Sequence, residues 1–319
     1  MACRICGADQ VSERITAREM MFGSREPFEY ERCGACGTLQ IVEIPKDLGR
    51  FYASNVYYSF NNYAPDPLWK NLLKRWAAVG LVGNPQAFPR GEGITDRIRR
   101  GAEPWIATIP GLTFDSAILD VGCGEGARLE KLAKLGFANL TGIDAFLPQA
   151  REGRRPSGVT LIRGELNNHD RKYDCVTMHH SLEHVPDPKS LLETARARLN
   201  PGGKIFVRLP LLQDEIWAKY GADWAQIDAP RHLYLFTPEA FVSLARRADL
   251  ECIAHGTDTF GWSLAWSEAW ARDVPSNNPD GSANALPFTK QEIAAFEAEA
   301  KALNARGKGD QGYFVLEPA

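Results

Sequence analysis

Two carboxylates bracket the stretch of this chain where chemistry is most legible, residues 118–144, ILDVGCGEGARLEKLAKLGFANLTGID. Asp120 ends a short apolar run, Gly122, Gly124 and Gly126 follow at alternate positions, and Asp144 ends a second apolar segment. Such glycines permit positive φ and let a ligand approach the main chain with no Cβ in the way. An acid at the tip of the second segment can accept hydrogen bonds from both hydroxyls of a ribose. A second group comprises His179, His180, Glu183 and His184 in HHSLEH, with His232 farther on in PRHLY. Histidine is the natural base near neutral pH for an alcohol or carbon acceptor. A third group is Cys3-Arg-Ile-Cys6 and Cys33-Gly-Ala-Cys36, two knuckles with 26 residues between them. Two residues between thiolates let both sulfurs face one tetrahedral ion, with Zn–S about 2.3 Å. The reading is a structural zinc ribbon, because four thiolates leave no open position for chemistry; redox dithiols or an iron–sulfur cluster are the alternatives.

These groups need a scaffold. The 118–144 stretch reads as strand, glycine turn, helix stopped at Gly136, strand and acid, the first half of a dinucleotide-type α/β fold. VTLIRGE (159–165) reads as a third strand, YDCVTMHH (173–180) as a fourth and KIFVRLP (204–210) as a fifth. Asp187-Pro188 opens the helix between the last two, and Asn200-Pro201-Gly202-Gly203 ends it. Thr237-Pro238 starts another helix, LECIAHGTD a sixth strand, residues 289–306 a further helix, and GYFVLEP a closing strand. Ligands of open α/β sheets bind beyond the carboxyl ends of the strands, so the histidines after the fourth strand face that rim.

LDVGCGEG followed by GID closely resembles motif I and the next acidic motif of class I S-adenosylmethionine (SAM) methyltransferases. HSLEHVPDP with LNPGGKIFV adds a second resemblance to the same family, and together they span about half the chain. The resemblance implies a Rossmann-like α/β fold with a seven-stranded sheet closed by an antiparallel strand. It places Asp120 near the methionine part of SAM, Asp144 with Ala145 at the ribose, and Glu165 with Leu166 at the adenine edge. Gly122, Gly124, Gly126 and His179 complete the expected SAM-binding set. Methyl transfer is an in-line displacement, so positioning supplies most of the rate. His180 is the first choice for a general base, His232 the second, and His184 lies in a segment that often packs structurally in this family. His180, Glu183 and His184 also have metal-ligand spacing, similar to Glu-rich equivalents in some quinone O-methyltransferases.

The cysteine knuckles, an aromatic connector and the motifs HSLEHVPDP and PRHLYLFT together resemble bacterial methyltransferases of sugar and surface-glycan biosynthesis. Their nucleotide-sugar C-methyltransferases usually carry a further C-terminal domain, so O-methylation of a sugar or nucleotide-sugar acceptor is expected here. Alternatives are an RNA base methyltransferase, a phenol or quinone O-methyltransferase, and a non-enzymatic interaction module. Residues 1–50 carry seven Lys or Arg against eight Asp or Glu, which is no footprint for RNA. The formal charge of −3, the lack of an apolar N-terminal core and of any spanning apolar run point to a cytoplasmic protein without membrane partners. The expected organisation is a ribbon over 1–45, an aromatic connector and helical cap over 46–115, and the SAM domain over 116–319. The connector holds Phe51, Tyr52, Tyr57, Tyr58, Phe60 and Tyr63 among Ser and Asn, suited either to a sugar or ring substrate or to packing of the ribbon against the main domain.

Overall fold

The computed structural model describes residues 2–52, 67–89 and 93–319, so Tyr57, Tyr58, Phe60 and Tyr63 of the connector lie outside the described residues. Three antiparallel strands come first, β1 (Val11–Arg18), β2 (Pro27–Cys33) and β3 (Leu39–Ile41). Two helices follow, α1 (Leu68–Leu81) and α2 (Ile94–Arg100). The next elements are β4 (Ala117–Val121), α3 (Ala127–Leu135), β5 (Asn139–Asp144), β6 (Gly153–Arg154), β7 (Thr160–Arg163) and β8 (Tyr173–His179). Then come α4 (Pro188–Ala197), β9 (Leu199–Pro210), α5 (Asp214–Tyr220), β10 (Tyr234–Leu235), α6 (Pro238–Arg247) and β11 (Leu250–Thr257). The chain closes with α7 (Gly261–Ala271), α8 (Lys290–Ala305) and β12 (Gln311–Pro318).

The main sheet has the order β11-β12-β9-β8-β4-β5-β7-β6. Strands β9, β8, β4, β5 and β7 run parallel, and β12 is antiparallel to both its neighbours. Eight strands stand where seven are expected, because the two residues of β6 fold back antiparallel on β7 through a tight turn closed by Arg155 N to Val159 O. β9 also starts earlier than the apolar run suggests, at Leu199, with a register shift against β8 that absorbs the Pro-Gly-Gly segment.

Alternation along the strands divides the core. Leu119, Val121, Val176, Met178, Ile205 and Val207 face α4, α6 and the N-terminal sheet, whereas Ile118, Cys175 and Phe206 face α1 and α3. Caps fix where the helices begin. Asp187 accepts from Ser190 N, Thr237 accepts from Ala240 N, and Thr289 with Glu292 forms a capping box, each contributing about 1 kcal/mol.

The N-terminal strands are continuous with the rest of the molecule. β10 pairs antiparallel with β3, Tyr234 opposite Gln40 and Leu235 opposite Leu39. Thr237 Oγ1 donates to the carbonyl of Cys36, and Arg247 to that of Ile5. The deepest tie is ionic. Arg231, fully buried, reaches Glu19 Oε1 at 3.1 Å and clasps Asp228 through Nε at 2.9 Å and Nη2 at 2.5 Å.

Candidate active site

The turn after β4 takes its shape from its glycines. Gly122, Gly124 and Gly126 have φ of 74°, 53° and 80°. A Cβ on Gly122 would stand 2.5 Å from that of Ser181, and one on Gly126 2.9 Å from Leu161 Cδ2, so close approach and φ both demand glycine. Ser181 Oγ donates to Val121 O at 2.8 Å, fastening the loop after β8 to the end of β4. At the tip of β5, Asp144 Oδ2 accepts from Gly124 N at 2.9 Å and Oδ1 from Phe146 N at 2.8 Å. Each oxygen keeps a lone pair for a ligand hydroxyl. Leu166 is buried, and Ala145 and Glu165 are exposed at the same edge of the sheet.

Asp120 lies beneath the turn, 3% exposed, and Thr177 Oγ1 donates to its Oδ1 at 2.8 Å. Burial pushes its carboxyl up to about 6. An unfolded-chain Asp titrates near about 3.9, so between about pH 4 and 6 the native state holds a proton the unfolded state has released. Stability therefore falls as pH rises through that window and stays lower above it. Asp120→Asn removes the buried charge and keeps an acceptor for Thr177. At pH 8 the ligand-free variant is expected to gain about 2–3 kcal/mol, a gain that vanishes below about pH 4, while SAM binds more weakly. Urea unfolding at the two pH values, beside a SAM titration, checks both signs.

The histidines after β8 meet different fates. His179 ends β8 between Trp105 and Phe206, with ring centroids 4.9 and 5.0 Å away, and neither of its nitrogens has a hydrogen-bond partner. Burial holds it neutral, far below its usual range. His180 has φ of 52°, and its Nε2 lies 2.5 Å from Arg208 Nη1. A guanidinium only donates, so Nε2 accepts and the ring proton sits on Nδ1, 3.3 Å from Glu183 Oε1. Burial and Arg208 both depress its pKa. The leading candidate base therefore has its lone pair occupied. Arg208 is itself held by Asp258 at 2.6 Å and Gln311 at 2.8 Å, partners that lie far along the chain.

His184 and His232 present the opposite arrangement. His184 Nδ1 donates to the carbonyl of Arg231 at 2.9 Å, and His232 Nδ1 to that of Gln226 at 2.7 Å. Both Nε2 atoms consequently carry lone pairs, and neither has a partner. The two rings stand 4.7 Å apart, and both oxygens of fully buried Glu183 are likewise unbonded. One ligand atom from each of Glu183, His184 and His232 falls within 4.8 Å of the others. Burial pushes Glu183 up to about 8 and His184 down to about 3. The sequence spacing suggests His180, Glu183 and His184 as a metal trio; the fold substitutes His232 for His180, because Arg208 claims the latter.

Sequence reasoning missed the residues that hold these rings. Tyr52 Oη lies 3.0 Å from His184 Nδ1, and its ring stacks on Phe146 at 5.5 Å and 9°. Tyr30 Oη donates to His232 O at 2.9 Å. Aromatic character flags Tyr52, but nothing local assigns its partner. A separate groove of about 380 Å³ sits at the opposite ends of the strands, lined by Pro110, Thr113, Asp115, Asp174 and Gly203. It holds none of the histidines or the glycine turn.

Comparison with known proteins fits this geometry. The methyltransferase-domain family matches residues 95–255. A ubiquinone biosynthesis O-methyltransferase of Actinobacillus pleuropneumoniae is 39% identical over 106 residues, 29% of this chain and 45% of that protein. Its namesake in Shewanella halifaxensis is 30% identical over 163 residues, 46% of this chain and 69% of that protein. The chain thus spans between about half and two thirds of these curated relatives. Among solved structures, the cyclopropane synthase MmaA2 of Mycobacterium tuberculosis is 14% identical, with a TM-score of 0.46 over 80% of this chain and 99% of that one. The relatives' names overturn the expected sugar or nucleotide-sugar acceptor and, with it, carbohydrate biosynthesis. The cysteine knuckles, aromatic connector, HSLEHVPDP and PRHLYLFT, whose combination suggested glycan enzymes, therefore do not identify the acceptor. With the glycine turn, the two acids and the matched family all on one sheet, the chain belongs to the methyltransferase-domain family and is a SAM-dependent methyltransferase.

Proposed function

We propose that this enzyme transfers the methyl group of SAM to a hydroxyl on a phenol- or quinol-type ring. The supporting observation is the trio Glu183, His184 and His232, whose facing atoms are buried and without hydrogen-bond partners. Backbone carbonyls fix both imidazoles in the tautomer that aims Nε2 inward, as second-shell partners do for metal-bound histidine. A divalent cation fits this donor set of two imidazoles and one carboxylate. When bound, it would lower the pKa of an acceptor hydroxyl and hold the oxygen in place. Asp144 and Asp120 then bind the donor, and the stacked Phe146 and Tyr52 rings offer an apolar face to an aromatic acceptor. The relatives' names favour this acceptor class.

The test is methyl transfer from labelled SAM to a catechol and to a methyl glycoside, each with and without manganese. Label in the catechol, increased by the cation, is the expected result. Label confined to the glycoside would refute the reading.

We also propose that Cys3, Cys6, Cys33 and Cys36 hold a structural zinc. Cys3 Sγ lies 3.8 Å from Cys36 Sγ, and Cys6 Sγ 3.6 Å from Cys33 Sγ. Four sulfurs at about 2.3 Å from one tetrahedral ion stand about 3.8 Å apart, which supports zinc over a disulfide pairing. Protein purified without chelators is expected to carry close to one zinc per chain. Stripping it should abolish amide protection in β1–β3 while β4 and β8 stay protected, since zinc binding is folding free energy for such modules. Metal analysis finding no zinc, or unchanged exchange after its removal, would sink the assignment.

A further inference from the structure

The outward face of α1 inverts the usual order of a surface helix. Its inward residues are small or aliphatic, Ala77, Ala78 and Leu81, and they pack toward α3 and the 104–107 turn. Its outward residues are larger and apolar: Trp69 is 59% exposed, Leu72 68%, Leu73 42%, Trp76 71% and Val79 66%. Spacings of three and four line these five side chains along one stripe. Ile94, at the start of the adjoining α2, is also 77% exposed. Contiguous apolar surface of this kind marks an interaction site, whereas isolated apolar residues need no explanation.

Charge identifies the partner. The two helices carry Lys70, Lys74, Arg75, Arg97, Arg99 and Arg100 against the single acid Asp96, in a chain whose formal charge is −3. We propose that α1 docks the enzyme on an anionic lipid surface, its Trp and Leu side chains entering the interface while Lys70, Arg75 and Arg99 meet the headgroups. Tryptophan favours the level of the headgroups, and a basic, apolar-faced helix lies in that plane without crossing the bilayer. No helix among the described residues is long and apolar enough to cross, so the association is peripheral. Nucleic acid fits less well, because the stripe itself presents aliphatic Leu72, Leu73 and Val79 where phosphates would need cations. A twofold contact between copies would bring Lys70 and Arg75 of one chain against the same cations of the other. The proposal does not depend on the acceptor.

The full chain would be sedimented with phosphatidylcholine vesicles, with and without phosphatidylglycerol, while tryptophan emission is recorded. Binding with a blue shift is expected only when phosphatidylglycerol is present, and it should weaken with salt. Trp69→Ser with Trp76→Ser should remove the blue shift. Lys70→Gln with Arg75→Gln should lower the partition coefficient about thirtyfold. Both pairs should keep SAM binding, which certifies the fold. Any of three results would overturn the proposal: partitioning indifferent to phosphatidylglycerol or to both pairs, RNA homopolymer binding in place of vesicle binding, or a solution dimer that the Trp variants dissociate.

Discussion

Asp144→Ala is expected to abolish measurable SAM binding while the fold survives. The carboxylate is half-buried at the tip of β5, and its present partners are the amides of Gly124 and Phe146. With a ribose in place, its remaining lone pairs accept from two hydroxyls. Hydrogen bonds to a charged group contribute about 1.5–3 kcal/mol each, so losing both weakens affinity by about two to four orders of magnitude. Alanine also frees the two amides that brace the turn, which adds to the loss. Asp144→Asn, which retains one acceptor, should fall between. Calorimetric titration with SAM, alongside a melting curve, reads the effect; an affinity for Asp144→Ala equal to the parent's would end the ribose assignment.

Glu183→Gln is expected to cut methyl transfer about a hundredfold or more and leave SAM affinity intact. The substitution is nearly isosteric, and burial raises the Glu183 carboxyl to about 8, so the metal-free protein at neutral pH already holds this group neutral. Stability should therefore change little, and any lost activity reflects lost function. A cation bound by Glu183, His184 and His232 needs the carboxylate, so the variant should lose its response to manganese together with its rate. Cation binding can be read independently of activity, by manganese paramagnetic relaxation. A variant that binds manganese and turns over like the parent would remove the metal reading and return His184 and His232 to a packing role.

Local signals carried much of the fold. Glycine spacing, the acids near the ends of β4 and β5, and the Asp187-Pro188 and Thr237-Pro238 caps are properties of a few neighbouring residues, and the structure has them where the sequence puts them. β6 escaped notice because two residues have no period. The histidine assignments depended on contacts the sequence does not order. His180 and Arg208 are separated by 28 residues, and His184 and Arg231 by 47, so neither tautomer could be inferred from spacing. Acceptor class was illegible for a related reason: the motifs that stand out lie at the glycine turn and the strand ends, and no local pattern names what is methylated.

The buried ion trio of Glu19, Asp228 and Arg231 bears on how such an enzyme can be rearranged by recombination. If Glu19 is lost, Arg231 keeps the Asp228 carboxylate, so what goes is one charge-assisted hydrogen bond, about 1.5–3 kcal/mol. The surroundings of His184 and His232 draw on the first fifty-two residues for Glu19, Tyr30 and Tyr52, and on residues 183–232 for the groups they hold. A SAM-binding core lifted from this chain would leave Arg231 without one of its counter-charges and His184 without its tyrosine. A foreign N-terminal module could restore neither unless it happened to carry an acid and a phenol at the same points.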